Sequence, residues 1–131
     1  MRKVIITGAS GLIGSTVTRF LQRESNIQAH AVSRNCRPLG FTHSHDCDMS
    51  YHALRELVAG IAPSFIVNCV GLTKHLASTI SNRYLLPNIL VPEYLRRLKL
   101  EFGFSFIHIS SDCVFQGINA PYGDTEKPDA V

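Results

Sequence analysis

The chain has 131 residues, enough for one domain with a buried core. Its apolar content of 45% and charged content of 18% are typical of a folded globular protein and argue against disorder. The net charge is only +3 and no basic run exceeds two residues, so no nucleic-acid surface is expected. No apolar run is long enough to span a membrane and no signal-peptide pattern opens the chain, so we expect a cytoplasmic protein without a membrane partner.

Strand and helix patterns alternate along the chain. Strands are predicted at residues 3–7, 28–32, a short stretch ending at 47–49, 64–70 and 104–110. Helices are predicted at residues 12–23, 51–59 with Ser50 as N-cap, and 85–100. Because proline removes a helical hydrogen bond, Pro92 should kink or split the last helix. This alternation predicts an α/β fold, a Rossmann-type doubly wound parallel sheet of about five strands in the order 3-2-1-4-5.

Glycines spaced three apart, Gly8, Gly11 and Gly14, follow the first predicted strand. A strand that turns directly into a helix leaves backbone N–H groups unpaired at the positive end of the helix dipole, and glycine lets a pyrophosphate approach them closely. The spacing differs from the Gly-x-Gly-x-x-Gly of the general dinucleotide motif. The turn therefore predicts an anion site.

Further candidates lie at the carboxyl ends of the other strands, where a doubly wound sheet binds its ligands. They are Arg34, Asp48, Gly71 and the pair Ser110-Ser111. Arg34 lies where a dinucleotide fold reads the adenosine ribose, and its guanidinium suits a 2′-phosphate, so NADP is favoured over NAD. A solvated loop cation is the alternative for Arg34, and NAD stays possible.

The four cysteines are far apart and are expected to be free thiols in a cytosolic protein. The stretch from His43 to Cys47 contains metal-ligand residue types. However, alternating ligands on an extended stretch project to opposite faces, and no second cluster completes a site. No metal is therefore expected.

Residues 7–14 (TGASGLIG), 67–69 (VNC) and 108–117 (HISSDCVFQG) resemble the extended short-chain dehydrogenase/reductases. Within them, the sequence is similar to the sugar-nucleotide reductases of the dTDP-4-dehydrorhamnose reductase type, and residues 121–128 (PYGDTEKP) agree. The resemblance runs from Lys3 to about Pro128. It implies that residues 1–131 form an incomplete NAD(P)-binding Rossmann domain, the N-terminal part of a longer enzyme that lacks the last strands and the substrate lobe.

The resemblance also implies roles for individual residues. Those assigned to the cofactor are Gly8, Ser10, Gly11, Leu12, Ile13 and Gly14 at the turn, Ser33 and Arg34 at the ribose phosphate, Asp48 and Met49 at the adenine, and Cys69, Val70 and Gly71 on the nicotinamide-ribose side. Ser111 would hydrogen-bond the substrate carbonyl, with Ser110 as its rival. Asn82 is the candidate for an asparagine that the family carries ahead of the helix at Pro87, although it lies one residue further from Pro87 than expected.

One part of the family pattern is missing from these residues. The proton donor of the family is a tyrosine in a Tyr-x-x-x-Lys pair, whose lysine stabilises the phenolate. None of the four tyrosines is followed by lysine four positions later. The chain alone is therefore predicted to be inactive.

Three functions stay open. The first is the NADP-binding portion of a reductase acting on a 4-keto sugar nucleotide. The second is a non-catalytic NADP-binding regulatory module, and the third is part of an NAD-dependent sugar-nucleotide epimerase or dehydratase. The partner implied by the first is a nucleotide-sugar substrate of the full-length enzyme, and self-association through an uncovered sheet edge is plausible.

Overall fold

The computed structural model describes residues 1–36, 39–72, 81–118 and 121–129. Five parallel strands form one sheet in the order β3-β2-β1-β4-β5, which confirms the predicted fold class and strand order. The strands are β1 (Arg2–Thr7), β2 (Ile27–Ser33), β3 (His43–Asp46), β4 (Phe65–Asn68) and β5 (Ser105–His108). Thr7 lies opposite both Val32 and Asn68, so the central strands end level at one carboxyl edge.

Three α-helices cover the sheet: α1 (Leu12–Leu21), α2 (Tyr51–Ile61) and α3 (Val91–Phe102). As predicted, Ser50 is the N-cap of α2, and its hydroxyl accepts a hydrogen bond from the Ala53 N–H. A 3-10 turn (Ser81–Tyr84) and a π-helical segment (Leu85–Leu90) precede α3, and a second 3-10 turn (Asp112–Val114) follows β5. None of the helices in the described ranges is both long and apolar enough to cross a membrane.

The two faces of the sheet are buried by different helices. Because side chains alternate along a strand, Ile5 points to α2 and α3, whereas its neighbours Val4 and Ile6 point to α1. The larger core lies between the sheet and the helices α2 and α3, where Ile66 and Leu95 are fully buried. Burial on both faces explains the continuous apolar runs of the central strands.

Two element boundaries depend on single residues, Pro92 and Met49. The predicted helix 85–100 is split, as expected, and Pro92 lies in the first turn of α3, where its missing N–H is not needed. The third strand was expected to end at residues 47–49, and this is wrong because β3 ends at Asp46. The Cys47 N–H still donates to the Ser33 carbonyl, but the backbone of Met49 is left-handed, with φ of 65°, and cannot continue a strand.

Candidate cofactor-binding site

A cleft of about 680 Å³ opens at the carboxyl edge of the sheet. Its lining includes nine of the residues assigned to the cofactor from the sequence: Gly8, Ser10, Gly11, Ser33, Arg34, Met49, Cys69, Val70 and Gly71. The lining also includes residues that the sequence reasoning did not propose: Leu72, Arg83, Leu86, Pro87 and Val91. The cleft thus lies where a doubly wound sheet binds a nucleotide, with the 3-10 turn and the π-helical segment forming a second wall.

The glycine turn is shaped by close backbone approaches. Gly8 has φ of 73°, and a Cβ there would lie 2.8 Å from the backbone of Cys69 and Val70. At Gly14 a Cβ would lie 2.2 Å from the Gly8 carbonyl oxygen. Gly11 is the N-cap of α1 and has no side chain to cap the first N–H groups of the helix. This cradle matches the space and the donors that a pyrophosphate requires.

Four of the proposed cofactor residues do not line the cleft. The side chains of Leu12 and Ile13 are exposed, and Gly14 is buried beneath the turn. The assignments of Leu12 and Ile13 concern their backbone, which forms the start of α1. The Asp48 carboxylate accepts the Ser50 N–H at 2.8 Å, and hydrogen bonding from Ser50 lowers the pKa of this carboxyl. Asp48 therefore orders the entry to α2, and its contact with adenine stays a prediction.

Ser33 and Arg34 lie together at the carboxyl end of β2. Ser33 is 2% exposed, and its hydroxyl has no hydrogen-bond partner in the part of the chain that the structure describes. Arg34 is exposed and lines the same cleft. A buried hydroxyl without a partner costs about 1–3 kcal/mol, so a polar ligand group here would remove a penalty. The pair offers a hydroxyl and a guanidinium to one anionic group.

Asn68 links the carboxyl ends of three strands. Its Oδ1 accepts hydrogen bonds from the Thr7 hydroxyl at 2.6 Å and from the Val70 N–H at 3.1 Å. Since a backbone N–H can only donate, this fixes the amide orientation, and Nδ2 donates to His108 Nδ1 at 3.0 Å. Asn68 is fully buried, so this network holds Val70 in the cleft wall. Sequence reasoning missed its role, although residues 67–69 contributed to the resemblance.

The π-helical segment is hydrogen-bonded to the chain that leaves β4. Its Asn88 side chain accepts the Leu72 N–H at 2.7 Å and donates to the Leu72 carbonyl at 3.0 Å. Sequence reasoning did not propose Asn88, since the asparagine that it named ahead of Pro87 was Asn82. The Asn82 side chain itself lies outside the described residues.

Ser111 caps the 3-10 turn that follows β5. Its hydroxyl accepts the Cys113 N–H at 3.1 Å, and neither Ser111 nor Ser110 lines the cleft. The substrate-contacting role of Ser111 stays a prediction.

The cysteines and histidines form neither a disulfide nor a metal-binding group in the described part of the chain. All four cysteines are free, as predicted, and burial raises the pKa of the Cys69 thiol. The expectation that the ligand types near His43 point to opposite faces is wrong for the histidines. His43 and His45 share one face and both stack on His30. Among the described residues, no group of three His, Cys, Asp or Glu side chains is arranged to hold a metal ion.

The model of the NAD dependent epimerase/dehydratase family matches residues 4–129. The chain belongs to this family. Among curated proteins, the methionine adenosyltransferase 2 subunit beta of Rattus norvegicus is 30% identical to this chain over 128 residues, and this alignment covers 97% of the chain and 37% of the relative. The chain thus spans less than two fifths of the length of that relative.

Solved structures of sugar-nucleotide enzymes share the fold. A hypothetical dTDP-4-dehydrorhamnose reductase from Sulfolobus tokodaii aligns with a TM-score of 0.80 at 23% identity, over 99% of this chain and 46% of that one. The dTDP-4-dehydrorhamnose reductase of Bacillus anthracis, in complex with NADP, aligns with a TM-score of 0.79 at 23% identity, over 98% and 43%. At this identity the likeness bears on the fold alone.

Proposed function

We propose that this chain is the NADP-binding portion of a reductase that acts on a 4-keto sugar nucleotide. The observation that carries the proposal is that Arg34 and Ser33 both line the cleft, where the Ser33 hydroxyl has no hydrogen-bond partner among the described residues. A guanidinium offers a planar set of donors that suits a phosphate, and a hydroxyl can donate one more hydrogen bond. Together they fit the 2′-phosphate that distinguishes NADP from NAD.

The other residues supply positions for the rest of the cofactor. The bare turn of Gly8 and Gly11 would hold the pyrophosphate on backbone N–H groups, and Val70 and Gly71 would border the nicotinamide ribose. NADPH supplies a hydride to a carbonyl when it is bound. Ser111 would donate a hydrogen bond to the substrate carbonyl. The acid that completes the reduction would come from a Tyr-x-x-x-Lys pair outside these residues.

The comparisons support this proposal at a coarser level. Family membership supports an NAD(P)-binding fold, and a similar fold in a sugar-nucleotide reductase occurs in complex with NADP. The choice of NADP over NAD rests on Arg34. The choice of a 4-keto sugar nucleotide as substrate rests on the family resemblance of residues 108–117.

The test is a fluorescence titration of the chain with NADPH and with NADH. We expect tighter binding of NADPH, and Arg34→Gln should weaken NADPH binding by about tenfold or more while changing NADH binding little, since a charge-assisted hydrogen bond contributes about 1.5–3 kcal/mol. Arg23→Gln is the matched control, because Arg23 is exposed and does not line the cleft. It should change neither affinity.

Tighter binding of NADH by the unaltered chain would contradict the choice of NADP. It would favour the third function, a part of an NAD-dependent epimerase or dehydratase. Equal losses for both cofactors in Arg34→Gln would show that Arg34 does not read the 2′-phosphate.

A second candidate is a non-catalytic NADP-binding regulatory module. The observation in its favour is that curated relatives are named as a subunit of another enzyme, methionine adenosyltransferase 2. The intact mass and sequence of the native gene product separate the two candidates. A Tyr-x-x-x-Lys pair in further sequence would favour the reductase, and a longer product without it would favour the regulatory module.

A further inference from the structure

Asn88 joins the π-helical segment to the chain that leaves β4. Its amide makes two hydrogen bonds to a single residue, accepting from the Leu72 N–H at 2.7 Å and donating to the Leu72 carbonyl at 3.0 Å. The Leu72 N–H and carbonyl belong to the two successive peptide groups that flank its Cα, so the two bonds fix the position and the rotation of the backbone at Leu72, whereas a single bond would fix only one distance. Leu72 itself lines the cleft.

The winding of the segment brings Asn88 to this position. The Val91 N–H donates to the Leu86 carbonyl, five residues earlier, which defines the π-helical turn. Leu86 and Pro87, on the same turn, line the cleft. The π-helical segment therefore lines the cleft with the apolar Leu86 and Pro87, and its Asn88 binds the backbone of Leu72. Single π-helical turns of this kind are frequent at functional sites.

Two asparagines hold alternate amides of the wall after β4. Asn68 accepts the Val70 N–H from inside the sheet, and Asn88 accepts the Leu72 N–H from the π-helical segment. Gly71 lies between them, and a Cβ on Gly71 would lie 3.9 Å from the Asn88 oxygen. The backbone of this wall is thus held on both sides of Gly71.

We propose that Asn88 is a positioning residue that holds the Gly71–Leu72 backbone in place as the nicotinamide-side wall of the cleft. The inference rests on the proposed function, which assigns the nicotinamide ribose to this wall. Asn88 is exposed, so water can replace its hydrogen bonds and their loss should leave the fold intact. The effect of a substitution should therefore be local to this wall.

The experiment compares two ligands that differ in reach. NADPH would reach from Arg34 to the wall at Gly71, whereas adenosine 2′,5′-bisphosphate carries only the adenosine half with its 2′- and 5′-phosphates and lacks the nicotinamide ribose. Asn88→Leu removes both hydrogen bonds at similar size and should weaken NADPH binding by about threefold to tenfold, with adenosine 2′,5′-bisphosphate binding unchanged. Asn88→Gln keeps both polar groups and should bind NADPH within about threefold of the unaltered chain.

Asn26→Leu is the matched control, because Asn26 is exposed at the opposite edge of the sheet, just ahead of β2. It should change neither affinity. Equal weakening of both ligands in Asn88→Leu, no weakening of NADPH, or a loss in Asn88→Gln as large as in Asn88→Leu would overturn the positioning role.

Hydrogen exchange at the Leu72 amide separates this inference from the proposed function. Exchange should be about threefold to tenfold faster in Asn88→Leu and unchanged in Asn26→Leu, whatever the cofactor. If the unaltered chain binds neither NADPH nor NADH, the proposed function fails and the positioning role of Asn88 for that cofactor fails with it. Faster exchange would then show only that Asn88 holds the Leu72 backbone. Unchanged exchange would overturn that conclusion as well.

Discussion

The two walls of the cleft are built by opposite means. The glycine turn after β1 owes its shape to missing side chains, since a Cβ at Gly8 or Gly14 would collide with backbone. The wall after β4 owes its shape to two side-chain amides, those of Asn68 and Asn88, which bind backbone N–H groups. The first wall is fixed by steric exclusion and the second by hydrogen bonds.

This difference predicts how each wall tolerates substitution. A Cβ that collides with backbone cannot be relieved by a rotamer change, because the neighbouring backbone itself would have to move. A lost hydrogen bond is costly where its partners are buried and inexpensive where water can replace it. Effects should therefore be largest at the glycine turn, intermediate at the buried Asn68 and smallest at exposed groups.

The largest effect is expected for Gly14→Ala. The new methyl group would lie 2.2 Å from the Gly8 carbonyl oxygen, so the start of α1 must shift away from the turn. Since overpacking typically costs about 1–3 kcal/mol and this contact is with backbone, we expect a loss near 3 kcal/mol in the free energy of unfolding. Urea denaturation measures the loss, and NADPH titration should show weaker binding.

Gly60→Ala is the matched control for this substitution. Gly60 lies inside α2, and a Cβ there would meet no atom of the described residues within 4 Å apart from its own helix backbone and chain neighbours. The same change should raise the free energy of unfolding by about 0.5–1 kcal/mol, because alanine is favoured over glycine within a helix. Similar effects at both positions would show that steric exclusion does not shape the turn.

An intermediate effect is expected for Asn68→Leu. The substitution leaves the buried Thr7 hydroxyl and the Val70 N–H without their acceptor, and a buried unsatisfied group costs about 1–3 kcal/mol. We expect a loss of about 2–3 kcal/mol in urea denaturation. The double variant Thr7→Val/Asn68→Leu should lose less than the sum of the two single variants, because it removes both partners of one hydrogen bond. Strict additivity would contradict the coupling.

Sequence predicted the first wall and the place of Cys69, Val70 and Gly71 in the second, but not the asparagines that hold the second wall. Glycine spacing encodes steric exclusion directly, so Gly8, Gly11 and Gly14 identified the turn. Strand alternation placed Ser33 and Arg34 at the carboxyl edge, because parallel strands end on the same side. These inferences need only local pattern and the topology of the fold.

The partners of side-chain amides depend on geometry that no local pattern contains. Asn88 reaches Leu72 only because the segment before α3 winds as a π-helix. His30 meets His43 because of the register between β2 and β3, which the chain between them sets. The sequence showed an offset at Asn82 and a group of histidines, but it could not show what either would contact.

His30, His43 and His45 form a third region, on β2 and the edge strand β3. His30 Nδ1 lies 3.0 Å from His45 Nε2, and His30 Nε2 is buried without a hydrogen-bond partner in the described ranges. Burial lowers the pKa of His30 to about 4, with further lowering by His45, His43 and Lys3. Burial and His43 also lower the pKa of His45. The surroundings of His30 and His45 therefore favour the neutral form of these two imidazoles.

Lowering the pH should reduce the free energy of unfolding through His30 by less than Gly14→Ala or Asn68→Leu does. The folded pKa of His30 is below its unfolded value of 6.5, so its contribution is complete above pH 6.5 and is lost as the pH falls toward 4. We expect the free energy of unfolding to fall by about 1–2 kcal/mol between pH 7 and pH 5. Glu93, whose pKa is lowered to about 2 by hydrogen bonds from Arg96 and Arg97, responds only below its unfolded value of 4.5. Urea denaturation of His30→Leu should show a shallower pH dependence in this window, and an unchanged slope would show that His30 is not its source.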